Sequence, residues 1–380
     1  MVNRNRNLIE VKEEQKILIN TIEEFAKKKI EPIAKKIDEE DEIPPLLYRE
    51  LRDIGLMGIL IPQKYGGSEL DMLTYTYILE IVGRYSGGLA LSLEAQNSLG
   101  LSHLYIYGNE KQRERYLPEV IASANPIAWA LTEPQSGSDA KNLQTKAVKR
   151  DDKYLITGSK IFITHGVHSD YMVLFAKTEK GISAFIVDGH AKGIERNAIK
   201  NKLGVRGTET AEIFLNDVEI PQENLLGKEG EGYKQAMNIL DAGRIAIGAM
   251  GVGLAQGAFN LAVSYMKERS AFGSKLENFE GLQFKLAELG TELEASRLMV
   301  QQSALLKDQG KTFKKQASMA KYFSSQIAMK ISNFAIQIHG GYGYFRDFGI
   351  DRYLRDSKLL EIGEGTNEVQ RLIIFRELMR

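Results

Sequence analysis

Residues 154–164 read YLITGSKIFIT, a run in which β-branched and aromatic residues predominate and a single glycine interrupts. Side chains of that kind pack on a pleated, half-buried surface, so the run is read as a strand. Working outward, IAWALT at 127–132, YMVLFAK at 171–177 and ISAFIVD at 182–188 have the same texture, with Gly and Asp between them. Their spacing predicts a compact antiparallel sheet or barrel that begins near Pro126 and ends near Ile220-Pro221.

On both sides of this stretch the period changes. Leu18, Ile22, Phe25, Ile30, Ile33 and Ile37 recur three to five residues apart with Lys and Glu between them, the spacing of one helix face. Pro44-Pro45 ends that run, and further helices are expected over Leu46–Ile54 and Leu70–Arg84, separated by Pro62 and Gly66-Gly67. After Gly232 come long helical runs, Leu282–Leu306 and Ala317–Ile338, of a length suited to an antiparallel bundle. The fold class is therefore α+β and multidomain: an N-terminal helical domain over 1–125, a middle antiparallel β domain over 126–232 and a C-terminal helical bundle over 233–380. No fixed-period repeat or low-complexity tract argues for a solenoid or a disordered scaffold.

Composition narrows the function. The 380 residues allow several packed regions and a sizeable buried site. Lys+Arg and Asp+Glu both number 50, which removes the electrostatic case for a general nucleic-acid partner. Absence of cysteine excludes thiolate chemistry and cysteine-ligated metals and suits a reducing compartment. The N-terminal MVNRNRNLIEVKEEQ lacks the apolar core of a secretory signal, so a cytoplasmic protein is expected. Ile245–Val263 carries no charge over nearly a bilayer's span. Its four glycines, with Gln256 and Asn260, favour instead a buried helix closely packed at Gly253-x-x-x-Gly257, with no membrane insertion.

Three motifs carry candidate chemistry. Trp129-Ala-Leu131-Thr132-Glu-Pro-Gln-Ser-Gly137-Ser138-Asp139 is a strand running into a turn of hydroxyls and open amides. Ordinary turn formation accounts for those residues, and so does a cradle for the polar edge of a planar heterocycle whose face rests on an aromatic ring. Gln337-Ile338-His339-Gly340-Gly341-Tyr-Gly-Tyr344 ends a helical run. It suits a glycine C-cap, or a nest of main-chain amides around a pyrophosphate. It is not the Gly-x-Gly-x-x-Gly of a Rossmann site. Glu361-Ile-Gly363-Glu364-Gly365-Thr366-Asn367-Glu368 sets one carboxylate between two glycines ahead of a helix that Thr366 or Asn367 caps. That is a solvated loop, or a backbone free to bring a carboxylate and a neighbouring N–H to one substrate. The five histidines show no zinc-helix spacing and are read as structural, with no metal site.

Together and in this order, the three motifs resemble the acyl-CoA dehydrogenase family nearly end to end. The resemblance extends to Leu203-Gly-Val-Arg-Gly-Thr208, Asn216-Asp-Val218 through Pro221, Asn224-Leu-Leu-Gly227, Arg269-Ser-Ala-Phe272-Gly273 and Arg352–Asp356. It implies FAD, an acyl-CoA substrate, an electron-transferring flavoprotein as acceptor, and a homo-oligomer, dimer or tetramer. It implies that Glu364 removes the α-proton while the β-hydride passes to flavin N5, giving a trans-2-enoyl-CoA. The thioester oxygen would be held by the Glu364 N–H and a flavin ribityl hydroxyl.

Carried over by position, Trp129, Leu131, Thr132, Gly137, Ser138, Phe162, Ile163 and Thr164 hold the flavin, with Thr366 and Glu368 nearby. Arg269, Phe272, Gln337, Ile338, Gly340 and Gly341 grip the dinucleotide end across a subunit interface. Ser138, Asp241, Arg244 and Gly365 contact the substrate. Some branched-chain members place the base on the helix near residues 240–244; here that place holds Gly243. Three positions depart from the pattern. Gly363 replaces an aromatic, Phe162 replaces tryptophan, and Glu280 replaces a flavin-contacting glutamine. A flavin oxidase or monooxygenase of the same fold, or a non-catalytic FAD-stabilised assembly protein, is the competing reading.

Overall fold

The computed structural model describes residues 12–123 and 125–380. Most of the N-terminal stretch read above for a signal therefore lies outside the described residues. The N-terminal helices are α1 (Glu13–Phe25), α2 (Ala34–Glu40), α3 (Pro45–Asp53), α4 (Met72–Tyr85), α5 (Gly87–Glu94), α6 (Ser102–Tyr107) and α7 (Glu110–Ala122). Strands follow: β1 (Ala128–Ala130), β2 (Lys146–Arg150), β3 (Lys153–Thr164), β4 (Tyr171–Thr178), β5 (Gly181–Asp188), β6 (Ile194–Ala198), β7 (Thr210–Pro221) and β8 (Leu225–Leu226). The chain ends with α8 (Gly232–Glu268), a small hairpin of β9 (Ser270–Ala271) and β10 (Ser274–Lys275), α9 (Glu280–Asp308), α10 (Lys314–His339), α11 (Asp351–Leu360) and α12 (Asn367–Leu378).

One expectation fails locally. The periodic run from Leu18 to Ile37 is not one helix: α1 passes into a π-turn over Ala26–Ile30 and a 3-10 turn over Glu31–Ile33 before α2 begins. Pro32 is the cause, because its ring removes one helical N–H and crowds the carbonyl four residues back. The apolar face survives the break, with Ile22, Ile30 and Ile37 all buried.

The strands lie in the order β6-β7-β3-β2-β4-β5-β8, with β1 beside β4. Pairing is antiparallel except where β1, and one residue of β2, run parallel to β4. β4 and β5 are nearly continuous apolar runs because both their faces are covered. Val173, Phe175 and Ile186 pack with Tyr116 and Leu117 of α7, while Met172, Leu174 and Val187 pack with Ile213 and Leu215 of β7.

The helical core is assembled around α8. By length and mean hydropathy α8 passes for a membrane-crossing helix, yet 78% of its apolar window is buried inside the protein. Its glycines explain the close packing: a Cβ at Gly253 would strike the carbonyl oxygen of Glu80 on α4, and one at Gly257 would strike Tyr353 of α11. Overpacking of this kind costs about 1–3 kcal/mol, so the α4–α8 contact depends on the absent side chains. The segment 203–208 joins the β domain to the helices on either side. Val205 N–H donates to Asp356 Oδ1 (2.6 Å), Thr208 Oγ1 to the Gly88 carbonyl, and Arg206 to the Asp38 carbonyl.

Candidate active site

Glu364 stands on the turn between α11 and α12, and it is one of the few non-glycine residues with left-handed backbone, at φ +52°. Gly365 follows at φ +89°. Two successive left-handed residues reverse the chain sharply, and a glutamate there is strained by about 1–3 kcal/mol unless its surroundings hold it. They do. Gln370 Nε2 donates to the carbonyls of Glu364 (3.3 Å) and Gly365 (2.9 Å), and Lys321 Nζ donates to the Gly365 carbonyl (2.8 Å). Thr366 caps α12 by accepting from Val369 N–H, which settles the choice left open between Thr366 and Asn367. The N–H of Glu364 itself has no protein partner among the described residues.

Both carboxyl oxygens of Glu364 are buried and find no donor among the described residues. Burial raises its pKa, opposed by Glu94 and by the charges of Arg244 and Lys321. Glu94, the last residue of α5, is a second wholly buried carboxyl lying against the first, and its oxygens likewise find no donor. Its pKa is pushed well up, first by burial and then by the Glu364 charge. Two carboxylates in such a place cannot both ionise, but with one proton between them each supplies what the other lacks. The nearby charges of Arg244 and Lys321 act on Glu364 against the rise that burial causes.

Gly243 of α8 completes this corner. A Cβ there would run into Glu364 Oε2, and Leu99 Cδ2 would lie 3.3 Å away. The alternative base position on α8 thus opens onto the spot that the Glu364 carboxyl already fills. Beside it, Arg244 pairs with Asp241 one helical turn away, and both are largely buried. Arg244 Nε is left without a partner among the described residues. Leu99 belongs to a small apolar cluster with Ala95 and Ile239, against which Trp129 and Leu240 pack. That cluster links β1 to the Glu364 corner.

The strand-turn motif divides by burial. Leu131 and Ile163 are buried, Thr132 and Thr164 are half-buried, and Gly137 and Ser138 are exposed. The Trp129 ring turns to the helices, edge-on to Phe175 (4.9 Å between centroids), with its indole N–H donating to His103 Nδ1. The exposed ring on this side is Phe162, at 64% exposure and φ +58°. It sits where β3 slips register against β7 between Lys160 and Ile163, a bulge that turns its side chain outward. Beneath the turn, Glu133 and Lys160 form a wholly buried pair (2.8 Å), and Glu133 also accepts from Thr145 N–H (3.0 Å). This pair, like Glu94 and Lys321, is absent from the sequence reading.

The glycine motif at the end of α10 lies elsewhere. Arg269, Ile338, Gly340 and Gly341 line one cleft of about 570 Å³ together with Tyr265, His339, Tyr342 and Phe348. Tyr265 and His339 stack there at 4.1 Å. Gly340 and Gly341 have open space where a Cβ would be. Gln337 and Phe272 are exposed outside its lining, Phe272 at 96%. Gly243 and Tyr265 lie on one helix, so at 1.5 Å per residue ~33 Å separates the Glu364 corner from this cleft. The structure gathers Glu364, Gly365, Thr366, Asp241 and Arg244 at one end of the bundle and Arg269, Ile338, Gly340 and Gly341 at the other, with the strand-turn residues apart on the β domain. Glu368 is exposed on the first turn of α12.

The donor set fits FAD. Exposed hydroxyls and glycine amides meet a heterocycle edge, and a guanidinium beside an open glycine turn meets a pyrophosphate. Of the departures, Glu280 is exposed at the first turn of α9, where a carboxylate suits the helix dipole. At Gly363 a Cβ would find only Leu359, at 3.5 Å or beyond, so packing does not require glycine there.

Comparison with known proteins agrees over the whole chain. Family profiles described as acyl-CoA dehydrogenase N-terminal, middle and C-terminal domains match residues 12–124, 128–218 and 230–379. The probable acyl-CoA dehydrogenase YngJ of Bacillus subtilis is 42% identical over 98% of this chain and 99% of its own length. The structure of butyryl-CoA dehydrogenase from Megasphaera elsdenii matches with a TM-score of 0.95 at 37% identity, covering 98% of this chain and 100% of that one. A chain from the structure described as the electron transferring flavoprotein of Acidaminococcus fermentans matches with a TM-score of 0.95 at 40% identity, covering 98% and 99%. With the motifs, the three-part fold and these likenesses in agreement, the chain belongs to the acyl-CoA dehydrogenase family of FAD-dependent oxidoreductases.

Proposed function

We propose that Glu364 is the base in the acyl-CoA dehydrogenation that this enzyme carries out, and that its own N–H binds the thioester oxygen. The observation that carries the reading is the Glu364 turn. A buried carboxyl that lies against the Glu94 carboxyl and an unpaired N–H belong to one residue, whose backbone is locked by Gln370 and Lys321. An α-carbon beside a thioester is a weak acid, and hydrogen bonds to the developing enolate oxygen are what make its proton removable. Burial lifts the Glu364 pKa, which makes it a stronger base, and burial beside Glu364 pushes the Glu94 carboxyl up as well. Bound FAD supplies the two-electron acceptor for the hydride leaving the β-carbon. Thr132, Ser138, Phe162 and Thr164 would hold its ring system.

A short straight-chain acyl-CoA is the proposed substrate, supported by the likeness to a butyryl-CoA dehydrogenase. Electron-transferring flavoprotein is the proposed acceptor, supported by the likeness to a chain from a structure of that system. We place the enzyme in the cytoplasm on its cysteine-free composition. A homo-oligomer is proposed because the cleft at Arg269 lies far from Glu364 and opens beside exposed Phe272, Tyr344 and Phe345.

The test is anaerobic addition of butyryl-CoA to the FAD-loaded protein, followed by flavin absorbance, with Glu364→Gln alongside. Bleaching in the wild type and a fall of at least about 10²–10⁴-fold in the variant is the expected result. Equal bleaching in both would remove Glu364 as the base, and no bleaching by any of butyryl-, isobutyryl-, octanoyl- or glutaryl-CoA would remove the substrate class.

A further inference from the structure

Lys321, on α10, is as deeply buried as any residue in the protein, at 0% exposure. Its ammonium makes no ion pair within 4 Å among the described residues. Its hydrogen bonds go to two neutral oxygens, the Gly365 carbonyl (2.8 Å) and Asn367 Oδ1 (3.2 Å). Ser325 Oγ lies 3.1 Å from the same Asn367 oxygen and 2.9 Å from the Tyr322 carbonyl, lining the cradle's second wall. Both oxygens belong to the turn that carries Glu364. A charge sealed away with only neutral partners is costly, and a methionine would fill the same space without that cost. Filling space is therefore a poor account of a lysine here.

We propose that Lys321 is a positioning residue for the base: its ammonium clamps the Glu364–Gly365 turn from beneath and supplies the buried positive charge that acts on the Glu364 carboxylate. The inference rests on Glu364 being the base. The groups around the two partners come from five elements. Lys321 is acted on by Glu364, by Glu361 before the turn, by Glu368 of α12 and by Arg244 of α8. Glu364 meets Glu94 of α5, Arg244 and Lys321, and its charge also reaches Tyr75 of α4. Burial draws the Lys321 ammonium down to about 8, and the surrounding carboxylates oppose that fall.

The sign follows. Lys321 and Arg244 favour the ionised form of Glu364 against burial, so removing the Lys321 charge leaves Glu364 protonated up to a higher pH. The acidic limb of the rate, below which the base is already protonated, then moves upward.

The experiment uses FAD-loaded enzyme and measures the anaerobic rate of flavin bleaching by saturating butyryl-CoA against pH. It compares wild type with Lys321→Met and Lys321→Gln. Both variants are expected to shift the acidic limb upward by about one pH unit. The Met variant should also lose at least about tenfold in the rate at the alkaline plateau, and Gln, whose amide can still donate to Gly365, should recover part of that loss. If Lys321→Met does not load FAD, the Gln variant alone carries the test, because it keeps a donor and removes only the charge. A Gln variant whose acidic limb coincides with that of the wild type would overturn the proposal. Glu364→Gln separates the two claims. If that variant still bleaches flavin, the base assignment has failed and this inference fails with it. If it is inert while the Lys321→Gln limb stays put, only the inference about Lys321 falls.

Discussion

The two ends of α8 are built in opposite ways. At Asp241–Arg244 the site is enclosed: Gly243 lacks a side chain because the Glu364 carboxyl fills that space, and titratable groups from α5, α8 and α10 converge on it. Near Tyr265–Arg269 the protein is open, with glycines that face nothing, exposed aromatics and a single arginine in the cleft lining. An enclosed site is complete within one chain and its chemistry is fixed by packing. An open cleft of aromatic walls suits a partner from outside the chain, in keeping with the homo-oligomer proposed above.

The sharpest way to break that contrast is to add one methyl at the enclosed end. Gly243→Ala would put a Cβ on Glu364 Oε2, the movable tip of a side chain, so the fold should survive while the base is displaced. A misplacement near 1 Å costs about 10²-fold in rate, so bleaching by butyryl-CoA is expected to slow by that order with FAD content unchanged. Stopped-flow absorbance checks it. A wild-type rate would mean that Glu364 does not react from the position it holds here.

At the open end the next effect is one of affinity. Arg269→Ala removes the arginine from the cleft lining, and charge-assisted hydrogen bonds of this kind contribute about 1.5–3 kcal/mol. FAD should dissociate roughly 10- to 100-fold more readily, as read by fluorescence of released flavin, while the bleaching rate at saturating FAD stays near that of the wild type. If the rate falls and the affinity does not, the two ends are coupled more tightly than the separation suggests.

The enclosed end was also the harder one to read in advance. Glu364 stood out through the family resemblance, because a lone carboxylate between glycines before a helix cap reads locally as a solvated loop just as well. Glu94 did not, although a trace existed: it is the only Asp, Glu, Lys or Arg between Arg84 and Glu110. Lys321 left no trace, since Lys315 and Lys330 on the same helix look identical in one dimension, and only the packing of α12 onto α10 buries one of them. The glycine nest was one of two local readings of its stretch, and Arg269 entered only through the family resemblance. The break at Pro32 passed unread within the periodic run, and the parallel contacts of β1 and β2 with β4 depend on long-range topology that no local pattern encodes.

The smallest effect separates the two ends by sign. Gly341 has no atom within 4 Å of where its Cβ would stand and does not use a left-handed φ, unlike Gly340 at +57°. An alanine at 341 therefore meets no clash in the free protein and limits the unfolded chain, which stabilises by up to about 1 kcal/mol. If amides of this turn approach a pyrophosphate, the same methyl stands in the way. Gly341→Ala should raise or leave unchanged the unfolding midpoint of FAD-free protein while weakening FAD binding. A variant that is stabilised and binds FAD as tightly as wild type would show that the cleft does not seat the cofactor. A destabilised one would show that the glycine serves the fold, and the open end would then be as tightly built as the enclosed one.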